Sequence, residues 1–437
     1  MVPITADLQI DAGWLLPVQP AAALPSHSLI VTGGRIVDVL PALDAAERYR
    51  PLQRVDLTRH IVMPGLVNAH CHAGMTLLRG IADDVSLESW LNDRIWPREA
   101  AHVCAAFVYD GSLLGAAEMI RGGITTCSDM YFFPESTARA LREAGMRAHL
   151  GLPVLEFPSA YAPDARSYLQ RGLAVRDSLR YDPLVSFGLA PHAPYTVSDA
   201  TFETIVTYAE ELGLPIQTHL HETASEVASG VLKDGCSPLL RLARLGVLGP
   251  GFTAIHAVHC SSDDLAQLVR HASHVVHCPS SNLKFGSGIA DIAGMLQRGI
   301  NVGLGTDGAA SNNRLDLFEE MRLAALLAKG VTQNPAVLPA QAALEMATLG
   351  GARAIGLDAE VGSLEIGKAA DIIAIALDSP EMAPMFDPIS HVVYVAGRGD
   401  VTHAWVAGQC ILEDRRLQLC DAQAILRSAL RWQQRLQ

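Results

Sequence analysis

The chain has little of what marks several large classes of protein. Only four of its 437 residues are lysines, the formal net charge is −13, and no basic run is present. A surface without such a run offers no footprint for phosphates, which argues against nucleic acid as a partner. No apolar run approaches the roughly 20 residues that span a bilayer. The first 30 residues also lack a basic segment followed by an uninterrupted apolar core, so we predict a cytoplasmic protein without a membrane partner.

Cysteine is not used in a way that indicates a redox motif or a disulfide framework. None of the eight cysteines belongs to a C-x-x-C pair. A chain of this length gains little from disulfides, so we expect free, mostly buried thiols. The chain contains 49% apolar and 18% charged residues, a composition typical of a well-packed globular protein. It is large enough for a barrel and a smaller attached domain.

The order of short strands and longer helical segments predicts the architecture. Both ends of the chain read as short strands separated by turns, including residues 7–14, 28–31, 371–376, 391–395 and 403–406. Between them, β-rich runs alternate with helical ones about eight times, which indicates a parallel (β/α)8 TIM-type barrel of the α/β class. We therefore predict a barrel at residues 63–365. A small composite β-sandwich domain would be built from residues 1–62 and from residues 366–437, the latter ending in a helix.

Histidines and one aspartate stand where predicted barrel strands end, namely His70 with His72, His192, His219, His256 with His259, and Asp307. A barrel of this type carries its catalytic groups at that end. His70 and His72 lie two residues apart, so on an extended strand both imidazoles point to the same side. One histidine at a strand end has an ordinary packing explanation, but polar groups at five ends do not, because each buried ring needs a partner. Of His256 and His259, only one is expected to face the site.

This pattern predicts a site for one metal ion. The predicted ligands are His70, His72, His219 and Asp307. Their nitrogen and oxygen atoms suit zinc, and iron or manganese would accept the same set. No lysine occurs between His72 and His219, so the chain has no lysine there to bridge a second metal. Glu222 comes three residues after His219 and is placed to act as a general acid–base near the metal.

The residues around these strand ends carry a family resemblance. Residues 63–72, MPGLVNAHCH, are similar to the opening signature of the amidohydrolase superfamily. Within that superfamily, four further segments resemble the 5′-methylthioadenosine/S-adenosylhomocysteine deaminases. They are MTLLRGIADD at 75–84, PHAPYTVS at 191–198, QTHLHE at 217–222 and LGTDGAASNN at 304–313. The resemblance runs from about residue 60 to residue 370 and is dense at every strand end. The termini resemble the superfamily's small β domain only loosely.

The resemblance implies a reaction and a set of roles. A zinc enzyme of this family deaminates adenine nucleosides, such as methylthioadenosine, S-adenosylhomocysteine or adenosine, to the inosine analogue and ammonia. Asp307 would take the proton from the attacking water, Glu222 would protonate N1 of the purine, and His256 would orient the hydroxide. The metal ligands that the resemblance implies are His70, His72, His219 and Asp307.

The resemblance also implies contacts with the substrate. Glu99 would accept hydrogen bonds from the ribose 2′- and 3′-hydroxyls, since a carboxylate has two acceptor oxygens for a vicinal diol. Arg166 is the candidate for binding a homocysteine carboxylate, and residues 152–153 occupy a stretch where a second arginine would be useful. Further contacts with the ligand are implied for Trp90, which would cover the pocket, for His192 and for Ser311.

Two other functions are compatible with the sequence. One is a different aminohydrolase of the same superfamily, acting on guanine, pterin or triazine rings, which Glu99 and Trp90 disfavour because they suit a ribosylated substrate. The other is a metal-binding protein with a degenerate site, against which the complete ligand set and its acid argue. The expected partner of the enzyme is a small nucleoside, and the sequence is compatible with a homo-oligomer.

Overall fold

The structure is a computed structural model that describes residues 3–437, whose strands form two eight-stranded sheets. In chain order the strands are β1 (Ile4–Leu15), β2 (Leu24–Thr32), β3 (Arg35–Pro41), β4 (Tyr49–Pro64), β5 (Leu66–Cys71), β6 (Ile124–Met130), β7 (Arg147–Val154), β8 (Val185–Pro191), β9 (Ile216–Leu220), β10 (Phe252–His256), β11 (His274–His277), β12 (Val302–Leu304), β13 (Ile372–Ala376), β14 (Val401–Val406), β15 (Gln409–Glu413) and β16 (Arg416–Leu417). The α-helices are α1 (Ala42–Arg48), α2 (Leu87–Ser89), α3 (Trp96–His102), α4 (Ala105–Arg121), α5 (Pro134–Glu143), α6 (Ala165–Leu179), α7 (Asp199–Leu212), α8 (Ala224–Asp234), α9 (Pro238–Arg244), α10 (Ser262–Arg270), α11 (Pro279–Lys284), α12 (Ile292–Gln297), α13 (Ala309–Asn312), α14 (Leu317–Thr332), α15 (Ala340–Met346), α16 (Leu349–Ala354), α17 (Pro388–Tyr394) and α18 (Ala422–Leu436).

Strands β5 to β12 form the predicted parallel barrel and follow one another around the sheet in chain order. All six side chains of β5 are buried, as expected for a parallel strand that is covered on both faces. The Asn68 amide bridges β5 to the chain after β12: its Oδ1 accepts from the Thr306 N–H at 2.9 Å, and its Nδ2 donates to the Thr306 hydroxyl at 2.7 Å. Because all these strands run the same way, their carboxyl ends meet at one end of the barrel.

The other sheet joins the two ends of the chain. Its order is β16-β15-β14-β13-β4-β1-β2-β3, so β4 pairs in parallel with β1 on one side and antiparallel with β13 on the other. Its strands bury a separate apolar cluster that includes Ile10, Ile372 and Trp405. The predicted small domain built from both termini is therefore confirmed, while its boundaries at residues 62 and 365 stay a prediction.

One predicted strand is wrong, because residues 391–394 lie in helix α17. The N-cap residue Asp387 accepts from the backbone N–H groups of Ile389 and Ser390 at 2.9 and 3.3 Å. Pro388 occupies the first helical position, where a backbone N–H would have no helical partner. This Asp-Pro pair is the sequence signal for a helix start, and it outweighs the β-branched residues that follow.

The cysteines are free thiols at all eight positions, as predicted. Cys71, the last residue of β5, lies between His70 and His72 in the chain and is packed in the barrel core. Within residues 3–437, no single helix is both long and apolar enough to cross a membrane. One bent pair, Leu87–His102 with Ala105–Arg121, meets the length and composition together but turns by 116° between its halves.

A buried ion pair connects the sheet formed by both termini to the barrel. Arg147, the first residue of β7, donates through Nε and Nη2 to the two carboxylate oxygens of Asp371 at 2.9 and 3.1 Å. Asp371 directly precedes β13, and its Oδ1 also accepts from the Ala407 N–H at 2.8 Å. Both charged side chains are almost completely buried. Each charge depends on the other, because either one alone would be left in the interior without a counter-charge.

We expect Arg147→Ala to lower the free energy of unfolding by about 3–5 kcal/mol, since it leaves the Asp371 carboxylate buried and unpaired. Denaturant unfolding followed by circular dichroism measures the change. Arg139→Ala is the matched control, because Arg139 pairs with Glu143 at the surface, where an ion pair has little effect on stability. Equal effects of the two substitutions would show that the Arg147–Asp371 pair does not fasten the sheet to the barrel.

Candidate active site

The four predicted metal ligands meet at the carboxyl end of the barrel. The nearest nitrogens of the three histidines lie within 4.8 Å of one another, with 3.4 Å between the Nε2 atoms of His72 and His219. Oδ1 of Asp307 lies 3.1 Å from His72 Nε2 and 3.5 Å from His70 Nε2. The four side chains therefore surround one small space. They come from the ends of three strands, β5 for His70 and His72, β9 for His219 and β12 for Asp307.

Backbone carbonyls orient two of these rings. His72 Nδ1 lies 2.5 Å from the carbonyl oxygen of Met130, and His219 Nδ1 lies 2.7 Å from that of His192. A carbonyl oxygen can only accept, so each ring carries a proton on Nδ1, and in the neutral form its Nε2 lone pair faces the shared space. A neutral imidazole held in this way is ready to bind a metal through Nε2.

The unpaired nitrogens of His70 indicate what the space can hold. The ring is fully buried, yet neither Nδ1 nor Nε2 has a hydrogen-bond partner among the described residues. A buried polar atom without a partner is unfavourable, and a cation bound to Nε2 would supply one. Burial also lowers the pKa of His70 and of His219, which keeps both rings neutral, as metal ligands must be. Three imidazoles and one carboxylate fit zinc with a position left for water.

Two serine hydroxyls contact the Asp307 carboxylate. Ser281 Oγ and Ser311 Oγ lie 2.6 and 2.8 Å from Oδ2, and the Gly308 N–H donates to Oδ1 at 2.9 Å. Ser311 also lines the cavity in front of the ligands, and its predicted contact with the far end of the substrate stays a prediction. Ser281, in α11, is not among the residues predicted from sequence. Its position just after β11, at the carboxyl end of another barrel strand, is the signal that would identify it.

Glu222 and His256 face each other beside the ligand cluster. Glu222 Oε2 lies 3.7 Å from His256 Nε2, and both side chains line the same cavity as His219. Burial raises the pKa of the Glu222 carboxyl well above its usual value, with a further contribution from the Asp307 charge. Burial therefore favours the protonated form of this carboxyl. Burial lowers the pKa of His256 to about 3, so its ring is uncharged at neutral pH.

The Asn282 side chain assigns the tautomer of His256. Asn282 Nδ2 lies 3.0 Å from His256 Nδ1 and donates to it, which leaves the ring proton on Nε2, the nitrogen on the Glu222 side. Of the two histidines left open by the sequence, His256 lines the cavity. His259 instead lies with Nε2 2.6 Å from the Ser287 carbonyl oxygen. Asn282 is a further residue that the sequence pattern does not identify.

A cavity of about 310 Å³ opens in front of these groups. Five of the six predicted substrate-contact residues line it, namely Trp90, Glu99, His192, Glu222 and Ser311. Within residues 3–437, no lysine or arginine does so. The rest of the wall is largely apolar and includes the aromatic rings of Trp96, Tyr131, Phe132, Phe157, Tyr195 and Phe285. The cavity therefore suits a flat, largely apolar ligand with a few polar groups at defined positions.

Arg166 is not brought to this cavity, and its predicted contact with a substrate carboxylate is corrected accordingly. It is the second residue of α6, whose N-cap is Asp164, and its side chain is exposed. The buried side of this part of the helix is formed by Ala165, Tyr168 and Leu169. Helix periodicity therefore directs Arg166 to the opposite, solvent-facing side.

Glu99 lies on α3, in the segment between β5 and β6 that lines one side of the cavity. Its Oε1 accepts a hydrogen bond from the Tyr131 hydroxyl at 2.6 Å. Tyr131 directly follows β6 and is also not predicted from sequence, although it too stands at the carboxyl end of a barrel strand. On the same wall, the Trp90 ring packs against Phe285, with 5.0 Å between ring centroids. The site thus combines a metal-ligand cluster, a buried acid and an aromatic wall.

Comparison with known proteins defines the class. Residues 61–411 match the Amidohydrolase family, and the chain belongs to that family. Among its curated relatives, the 5-methylthioadenosine/S-adenosylhomocysteine deaminase of Saccharophagus degradans is 45% identical over 99% of this chain and 97% of its own length. The protein of the same name from Teredinibacter turnerae is 44% identical over 99% of this chain and 98% of its own length. The family resemblance predicted from the motifs is confirmed.

Solved structures agree with this assignment. A crystal structure of an adenosine deaminase from Xanthomonas campestris with bound zinc has a TM-score of 0.98 and 43% identity, and the match covers 99% of both chains. An atrazine chlorohydrolase from Arthrobacter aurescens complexed with zinc has a TM-score of 0.91 at 24% identity, covering 97% of this chain and 99% of that one. The second similarity concerns the fold alone. The predicted barrel with its additional sheet is therefore confirmed.

Proposed function

We propose that the protein is a zinc-dependent aminohydrolase that converts an adenine nucleoside and water into the inosine analogue and ammonia. Its substrates are methylthioadenosine, S-adenosylhomocysteine and adenosine, in agreement with the names of its relatives and of the zinc-containing structure that it resembles. One observation carries the proposal: a single cavity brings the ligand cluster, the protonatable acid Glu222 and the candidate ribose acid Glu99 together.

The roles proposed for the side chains follow from their chemistry. Zinc, when bound, lowers the pKa of a coordinated water to about 7 and so supplies a nucleophile at neutral pH. Glu222 donates its proton to N1 of the purine, which makes C6 electrophilic. Asp307 takes a proton from the attacking water and returns it to the amino group, which leaves as ammonia. The remaining hydroxyl proton at C6 passes to Glu222 as the C6 carbonyl forms, which restores the acid. His256 donates from Nε2 to the attacking oxygen and orients it. The proposed zinc ligands are His70, His72, His219 and Asp307.

Ultraviolet spectroscopy tests the proposed reaction. Zinc-loaded protein mixed with methylthioadenosine should show loss of adenine absorbance together with release of one equivalent of ammonia. If the protein deaminates guanine, pterin or triazine rings and has no activity on adenine nucleosides, it is a different aminohydrolase of the same superfamily. Zinc binding with no turnover of any of these compounds would indicate a metal-binding protein instead.

The wall of the cavity predicts which 5′ group is preferred. A methylthio group is uncharged and suits an apolar wall, whereas homocysteine ends in a carboxylate. No lysine or arginine among the described residues lines the cavity to receive that carboxylate. We expect kcat/KM for methylthioadenosine to exceed that for S-adenosylhomocysteine by at least about tenfold, the effect of one missing charged hydrogen bond. Steady-state kinetics with both substrates measure the ratio.

Adenosine is the control for this comparison, because its 5′-hydroxyl is polar but uncharged. Its kcat/KM should lie closer to that of methylthioadenosine than to that of S-adenosylhomocysteine. Equal values for all three substrates would show that the wall does not select the 5′ group. A preference for S-adenosylhomocysteine would show that a cation reaches its carboxylate when the ligand binds.

We also propose that the protein acts in the cytoplasm on free nucleosides, without a nucleic acid or membrane partner, as its composition predicts. A homo-oligomer is compatible with this function. Light scattering coupled to size-exclusion chromatography measures the molar mass in solution and so the number of subunits.

A further inference from the structure

Tyr131 links the wall of the barrel to the segment that carries Glu99. It directly follows β6, and its side chain is buried. Its hydroxyl donates to Glu99 Oε1 at 2.6 Å, across 32 residues of chain. Glu99 lies on α3, in the excursion between β5 and β6. The hydrogen bond therefore joins the end of a barrel strand to the helix that forms one side of the cavity.

Packing determines where the Tyr131 hydroxyl points. A Cβ added at Gly74 would lie 2.8 Å from Cδ1 of the tyrosine ring. The ring therefore lies directly against the backbone of the short 3-10 helix Ala73–Leu78, which follows His72. Phe132 packs on it as well, with 5.2 Å between the two ring centroids. A ring confined in this way has little freedom to turn, so its hydroxyl is in place before a ligand arrives.

The hydrogen bond distinguishes the two oxygens of Glu99. Oε1 is taken by the tyrosine, whereas Oε2 has no hydrogen-bond donor within residues 3–437, and the side chain lines the cavity. A carboxylate turns easily about its last torsion, so without the tyrosine its plane would be poorly defined. Burial raises the pKa of Glu99, and the donor acts in the opposite direction because it stabilises the charged form. The charged form is also the better acceptor.

We propose that Tyr131 is a positioning residue for ribose recognition. By holding Oε1 of Glu99, its hydroxyl sets the plane of the carboxylate and leaves Oε2 to accept from the 2′,3′-diol of the nucleoside. This inference rests on the proposed function, because it takes the ribose to be the group that Glu99 binds. The competing explanation is a purely structural link between the barrel and the excursion, in which the diol has no part.

Tyr131→Phe keeps the ring and removes the hydroxyl. We expect KM for adenosine to rise about tenfold, the effect of a hydrogen bond to a charged group, while kcat changes less than about threefold. For 2′,3′-dideoxyadenosine, which has no diol, KM should change less than about twofold. Tyr161→Phe is the matched control, since Tyr161 is buried and its hydroxyl has no hydrogen-bond partner among the described residues. It should leave both constants unchanged for both substrates.

Product binding separates this inference from the reaction itself. In equilibrium titrations, inosine should bind the wild type more tightly than 2′,3′-dideoxyinosine, and Tyr131→Phe should remove most of that difference. Glu99→Gln should remove it too, and the double variant should add little, because the two side chains act as one unit. If the wild type binds inosine more tightly than 2′,3′-dideoxyinosine but deaminates no adenine nucleoside, only the proposed function is contradicted.

Two results would overturn the role of Tyr131. One is an equal rise in KM for the substrates with and without the diol. The other is a loss confined to kcat, with inosine binding as tightly as in the wild type. Either result would leave the Tyr131–Glu99 hydrogen bond as a structural link between strand β6 and helix α3.

Discussion

Glu222→Gln is expected to lower kcat for methylthioadenosine by about 10³-fold while zinc stays bound. Glutamine keeps the size of the side chain but has no acidic proton to pass to N1 of the purine. Protonation of the ring is what makes C6 electrophilic, so the loss falls on the chemical step and not on binding. Steady-state kinetics give kcat, and metal analysis of the same preparation gives the zinc content.

Glu99→Gln provides the comparison within the same cavity. It likewise replaces a carboxyl group by an amide of the same size, yet we expect its main effect on KM, because Glu99 is proposed to contact the ribose and not the reacting ring. Loss of zinc from Glu222→Gln would assign Glu222 to the metal instead. An unchanged kcat in that variant would remove Glu222 from the chemistry altogether.

His219→Ala is expected to remove both zinc binding and turnover. Its Nε2 lies 3.4 Å from that of His72, so the substitution opens the ligand cluster on one side. Loss of a group that only supports a ligand already weakens metal binding 10–100-fold, so loss of the ligand itself should weaken it by more than about 100-fold. Activity should fall by at least about 10³-fold, because water without the metal is a weak nucleophile at neutral pH. Metal analysis after dialysis and steady-state kinetics measure both losses.

His274→Ala removes the same ring from the other end of the barrel. His274 begins β11, and its Nε2 lies 3.0 Å from the carbonyl oxygen of Pro250. This variant should keep its zinc and its turnover. Undiminished zinc affinity in His219→Ala would contradict the proposed ligand set and direct attention to the other histidines of the cavity.

Much of the site could be predicted because its signals are local. The spacing of His70 and His72 reflects the period of a strand, and a parallel barrel collects the ends of its strands in one place. These two rules are enough to expect His219 and Asp307 near them, and the structure brings all four together. The family motifs then add the roles that geometry alone leaves open.

The predictions fail where a position depends on its surroundings. Arg166 stands in the right part of the chain for a cation near the ligand, but the helix that contains it buries the opposite side. Residues 391–394 have the composition of a strand, but the cap at Asp387 starts a helix before them. In both cases a local capping or packing contact decides the outcome, and composition does not record it.

The sequence by itself determined the family, the barrel, the small sheet built from both termini and the strand ends that carry the chemistry. It did so because strand periodicity and motif spacing are properties of neighbouring residues. Only the tertiary structure decided which atoms support the site: Ser281 against Asp307, Asn282 against His256 and Tyr131 against Glu99. These pairs are separated by 26, 26 and 32 residues. They form only when the folded barrel brings these separate segments within hydrogen-bonding distance.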